Sequence, residues 1–185
     1  VITRSDIANK IVEIVQRDVD ERLRETHGKN RSPRIDYFNS RANAPMGSPY
    51  CASGIWSAID DACLSLGLQN PIPPTAWSQA FRKSGFTPKA YIKPQGELGK
   101  IGDVAVFQVV SDPSRGHLAL VRADQKTQPK FLTLEYNTDG SGSRDGDGCY
   151  SMSRSTIGKT GNKVFVCFTD VCQWILDHNF PPRLT

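Results

Sequence analysis

The sequence predicts an α+β domain in which N-terminal helices pack on an antiparallel β-sheet. Three observations predict it. Apolar residues recur at helical spacing through the first third of the chain. From Gly85 onward, short β-branched and aromatic runs replace that spacing. No linker or internal repeat divides the 185 residues, so one domain over 1–185 is expected, long enough to bury a sizeable core.

The elements follow in order. Ser5 or Asp6 caps a first helix whose stripe is Ile7, Ile11, Val15, Val19 and Leu23, ending near His27 and Gly28. A loop rich in Asn, Arg, Ser and Pro follows, then a short helical segment at 35–38 and the breakers Asn43, Pro45, Gly47 and Pro49. A second long helix is expected to begin at Pro49-Tyr50-Cys51 and to run to Leu66, where Gly67 stops it. Apolar residues lie on most of its faces, which places it in a core. Thr75 caps a short helix carrying Trp77, Ala80 and Phe81. Both Trp56 and Trp77 are expected in the core rather than in a groove. Strands are expected at 104–110, 118–121, 131–136 and 164–168, with a turn at 112–116 between the first two. Residues 139–148 read as a Gly/Ser/Asp loop, and 170–176 as a last helical turn.

Composition removes several function classes. The net charge of +4 is mild and its basic residues are scattered, so no nucleic-acid module is expected. No apolar run approaches the roughly 20 residues that span a bilayer, so no membrane insertion is expected. The five cysteines are Cys51, Cys63, Cys149, Cys167 and Cys172; an odd number leaves at least one thiol outside an intramolecular bridge. One thiol plus two bridges would suit an oxidising compartment, with the pairing left open. Cys167, Cys172 and His178 match no common zinc spacing, and no metal or cofactor is expected. Asp139, Asp145 and Asp147 offer hard oxygens but lack the EF-hand pattern, so a plain turn is the preferred reading over a calcium site.

Chemistry enters with Cys51. A lone cysteine is more commonly a small buried hydrophobe. A nucleophilic cysteine needs its thiolate, favoured by a helix N-terminus and a neighbouring histidine. Cys51 stands at the start of the second long helix, and His117 follows Gly116 at the head of an apolar strand. The other two histidines, His27 and His178, are tied to no strand. On the next strand, Glu135 and Asn137 are two apart and so are expected to face one site. Glu135 would fix the imidazole tautomer, and Asn137 would orient the ring or support an oxyanion. Tyr50, next to the nucleophile, is the candidate for lining the substrate cleft.

Four stretches then resemble the CHAP family, the cysteine- and histidine-dependent amidohydrolases and peptidases. Gly47-Ser48-Pro49-Tyr50-Cys51-Ala52 looks like its nucleophile motif and Gly102-Asp103-Val104-Ala105-Val106-Phe107 like its Gly-Asp strand. Gly116-His117-Leu118-Ala119-Leu120-Val121 resembles its histidine motif, and Leu134-Glu135-Tyr136-Asn137-Thr138 its Glu-x-Asn motif. The segments 30–37 and 142–148 are similar to loops of one bacterial and phage branch. The likeness covers about residues 5–168; the tail 169–185 is unassigned, and Tyr50 departs from the tryptophan many members carry.

The resemblance implies a papain-like fold and hydrolysis of peptidoglycan amide bonds, as endopeptidase or N-acetylmuramoyl-L-alanine amidase. It implies Cys51 as nucleophile, His117 as base and later acid, Glu135 as its orienter and Asn137 completing the site. It also implies a monomer acting on the cell wall, in the periplasm or outside the cell, as a lysin, an autolysin or an antibacterial effector that an inhibitor or immunity protein would restrain. A papain-like protease acting on proteins and a non-catalytic wall-binding module are the alternatives.

Overall fold

In a computed structural model, residues 1–140 and 146–180 are described. Among these residues, four α-helices precede and follow a six-stranded sheet, which makes the fold α+β. Helix α1 is Arg4–Asp20, α2 is Pro33–Arg41, α3 is Cys51–Leu66 and α4 is Val171–Asn179. The strands are β1 Val104–Val109, β2 Asp112–Val121, β3 Lys130–Thr138, β4 Gly148–Ser155, β5 Lys159–Thr160 and β6 Lys163–Thr169. They pair antiparallel in the order β4-β3-β2-β1-β6-β5. Among the described residues, no helix is long and apolar enough to cross a membrane.

Local chemistry sets the helix ends. Thr3 and Asp6 form a reciprocal capping box at α1. The helix stops at Asp20, earlier than its apolar stripe suggests. Arg22 takes a left-handed φ of 54°, Leu23 N–H returns to the Asp18 carbonyl (2.9 Å) and Arg22 N–H to that of Val19 (3.0 Å). This is the Schellman closure, built here on an arginine where glycine is usual. Leu23 still packs against the core, from beyond the helix. Ser32 caps α2 with Pro33 at its first position. Helix α3 runs over the expected residues and ends on Gly67 at φ 68°.

The strand alternation sorts two apolar faces. Val104, Val106, Leu118, Leu120, Leu134 and Tyr136 pack with the helices in the main core. Ala105, Phe107, Ala119, Val121, Phe131 and Phe168 form a second cluster on the other face. Phe165 joins that cluster because the β1–β6 register skips Val166, which brings Phe165 and Phe168 to one side with ring centroids 4.6 Å apart. Helix α3 lies close on the sheet at Gly54, where an added Cβ would come within 2.6 Å of the Tyr136 ring.

Two expectations about strands are corrected. Residues 112–116 belong to β2, which begins at Asp112; the pairs Gln108↔Gly116 and Val109↔Asp112 leave 113–115 bulged out of the ladder. The turn signals of Pro113, Ser114 and Gly116 mark that bulge. Strand β4 and the short β5 were not foreseen, because Cys149-Tyr150-Ser151-Met152-Ser153-Arg154 alternates serines with only a few large residues.

Candidate active site

Cys51 is the first residue of α3, 5% exposed. Two buried asparagines hold the loop that delivers it. Asn30 Nδ2 donates to the Gly47 carbonyl (3.0 Å) and Asn39 Nδ2 to that of Ser48 (3.0 Å). Asn39 Oδ1 also accepts from Ser53 Oγ (2.7 Å), tying the loop to the first turn of α3. Tyr50, at the N-cap, makes no side-chain capping bond, so no cap residue engages the first amides of the helix.

His117 sits within β2, 1% exposed, and its Nε2 lies 2.8 Å from Glu135 Oε2. Glu135, on β3, is wholly buried and accepts from three side chains. Thr133 Oγ1 donates to Oε1 (2.5 Å), Arg154 Nε to Oε1 (2.7 Å), and Arg154 Nη2 to Oε2. Burial alone would raise the Glu135 pKa, but Arg154 and His117 outweigh it and bring it down to about 2. Glu135 is therefore an ionised, acceptor-only group at ordinary pH. Nε2 must then carry a proton, which leaves the Nδ1 lone pair for the thiol.

Nδ1 is buried and finds no partner at conventional hydrogen-bond distance among the described residues. The Cys51 thiol is nonetheless close enough to act on the ring. Burial disfavours the imidazolium, yet Cys51 and Glu135 together raise the His117 pKa above its ordinary value. The structure thus brings three of the predicted residues, Cys51, His117 and Glu135, into one chain of contacts.

Asn137 is placed differently. It is fully buried, at φ 55°, and neither side-chain atom has a hydrogen-bond partner among the described residues. It does not bond to the triad. The pairs Tyr136↔Cys149 and Thr138↔Gly148 make Asn137 the extra residue of a β-bulge, so the two-residue alternation from Glu135 does not hold there.

Tyr50 is not among the described residues that line the groove beside Cys51. It is 0% exposed, and burial next to Glu25, Cys149 and Asp147 pushes its hydroxyl pKa up. Trp77, expected in the core, is instead 40% exposed. With Cys51, Pro45, Pro74, Ser114 and Arg115 it lines an open groove of about 560 Å³. Trp56 is in the core as expected, its Nε1 donating to the Ile72 carbonyl (2.9 Å). Arg34 is away from that groove, paired with the buried Asp18 at 3.3 Å.

None of the five cysteines is bridged. Burial pushes the thiol of Cys63 up to about 12 and that of Cys167 up to about 11. It also raises Cys149 and Cys172. Asp103 of the Gly-Asp motif has a structural role: it is 0% exposed and pairs with Arg4 (2.8 Å) and Lys93 (2.6 Å). Of the 142–148 loop, 142–145 with Asp145 lie outside the described residues; Asp147 accepts from the Tyr150 hydroxyl (2.7 Å).

Sequence reasoning missed Arg154 and Asn39. The alternation of Tyr150, Met152 and Arg154 with serines was a usable sign for Arg154. No local pattern marks Asn39, whose partners lie in the next loop and helix. No family model and no curated protein matches the chain.

Proposed function

We propose that the protein hydrolyses amide bonds of peptidoglycan by cysteine acyl transfer, on a papain-like scaffold of the CHAP kind. The observation that carries the proposal is the buried relay from Arg154 through Glu135 to His117, ending at a thiol on a helix N-terminus beside an open groove. Glu135 fixes the tautomer in which Nδ1 takes the Cys51 proton. The thiolate attacks the amide carbonyl, and the oxyanion is received by backbone amides at the start of α3, where the helix dipole is positive. The imidazolium gives its proton to the leaving amine. Water, deprotonated by His117, then attacks the thioester; the acid leaves and the thiol is restored.

The wall as substrate is supported by the four motif likenesses. The place of action is accordingly the cell wall, in the periplasm or outside the cell.

The test is digestion of purified peptidoglycan by wild type and by Cys51→Ala, with products identified by mass spectrometry. New amino and carboxyl ends made only by wild type are expected, and they identify the bond. In the folded protein, iodoacetamide should label Cys51 and spare the four thiols raised by burial. Failure to cleave walls of several chemotypes by a reduced, folded sample would sink the proposal, and cleavage of proteins instead would favour the protease reading.

A further inference from the structure

We propose that the groove beside Cys51 selects amide substrates bearing a free carboxylate near the scissile bond, and that Arg115 reads that carboxylate. This rests on the amidase reading above and names the substrate feature it recognises.

Among the described residues lining the groove, Arg115 is the only charged one; the rest are small, hydroxylated, amide, proline and tryptophan side chains. It is exposed, with no ion pair among the described residues. Arg31, Arg34 and Arg41, by contrast, each face an aspartate. A guanidinium with no acid among the described residues lining its groove is a ready partner for a carboxylate, which it can hold through two parallel N–H donors.

Its backbone is held in place. Residues 113–115 form the bulge of β2, and Trp77 Nε1 donates to the Ser114 carbonyl (2.8 Å) while Arg82 Nη2 donates to that of Pro113 (3.3 Å). Gly116 follows with no room for a side chain: a Cβ there would lie 2.0 Å from both Gln79 Nε2 and the Phe107 carbonyl. The bulge therefore presents Arg115 from a fixed position, two residues before His117. Lys83 lies over the Trp77 ring at 4.9 Å and adds positive charge to the same rim. Peptidoglycan stem peptides carry carboxylates of this kind, on glutamate and diaminopimelate and at the peptide end, and these become neutral when amidated.

The experiment compares two synthetic stem peptides that differ only in one carboxylate or carboxamide next to the cleaved bond, with wild type, Arg115→Gln and Arg115→Lys. Wild type is expected to show a KM about ten-fold lower for the carboxylate peptide, and this preference should fade as salt is raised. In Arg115→Gln the KM for the carboxylate peptide should rise to that of the amidated one, and Arg115→Lys should recover part of the difference. Equal KM values in wild type, or a preference that survives in Arg115→Gln, overturn the inference and leave the amidase reading standing. Cleavage of neither peptide by a wild type that digests whole peptidoglycan overturns the inference alone; failure on the peptides and on whole peptidoglycan removes the amidase reading with it.

Discussion

With Arg154 in place, the buried assembly of Cys51, His117, Glu135 and Arg154 carries no net charge when the thiol proton sits on the imidazole. Without that arginine the same zwitterion would leave one uncompensated negative charge away from water, and burial would raise the Glu135 pKa from about 2. A protonated Glu135 could donate to Nε2, and the ring proton would then move to Nδ1, which removes the base. Arg154→Met is therefore expected to lower kcat/KM at neutral pH by about 10²-fold and to move the acid limb of the pH–rate profile up by about one unit or more. Arg154→Lys, which keeps the charge but not the fork, should recover part of both. A pH–rate profile that falls evenly, with its limbs unmoved, would mean that Arg154 acts only on structure. At this scale Cys51, His117 and Glu135 were legible, because a helix start and two strand positions fix them locally. Tyr50 was not: adjacency to the nucleophile said nothing about which face of the chain turns inward.

Among the elements, α3 was readable at both ends because its stops are chemical: Pro49 before it and a left-handed Gly67 after it. Helix α1 was read too long, since its apolar stripe continues to Leu23 while the backbone closes at Arg22. Periodicity reports which residues seek the core, not whether they reach it as helix. The bulge at Asn137 was hidden for a related reason, because two-residue alternation assumes an unbroken ladder. Arg22 gives a clean test. It is exposed, at φ 54°, and its side chain makes no hydrogen bond or ion pair among the described residues. Arg22→Gly is expected to stabilise the fold by about 1 kcal/mol, since glycine takes the left-handed region without a Cβ penalty. Denaturant unfolding measures it; an unchanged or lowered midpoint would show that the arginine side chain contributes something the geometry does not reveal.

Across the whole molecule, the helices are joined to the sheet by buried charge as well as by apolar packing. Asp18 on α1 accepts the Tyr136 hydroxyl (2.5 Å) from β3 and pairs with Arg34 on α2. Arg4 on α1 reaches Asp103 before β1 and Asp170 at the head of α4. Partners 118 and 99 residues apart leave no local trace, so this polar interior could not be read from spacing. The Glu135 centre makes the linkage to pH explicit. Its carboxyl falls from 4.5 to about 2 on folding, so its stabilisation is present above pH 4.5 and is lost as pH drops through 2. That shift corresponds to about 3 kcal/mol. His117 is raised above 6.5, so its share is present below pH 6.5 and is lost as pH climbs through its folded value. The pair therefore contributes most between pH 4.5 and 6.5. The comparison is wild type against the double variant Glu135→Gln/Arg154→Met, which removes both buried charges together and leaves neither ion alone. Between pH 5 and 2, wild type should lose about 3 kcal/mol more unfolding free energy than the double variant. Parallel curves would mean that Glu135 keeps an ordinary carboxylate pKa in the folded protein, and that Arg154 and His117 do not hold it ionised.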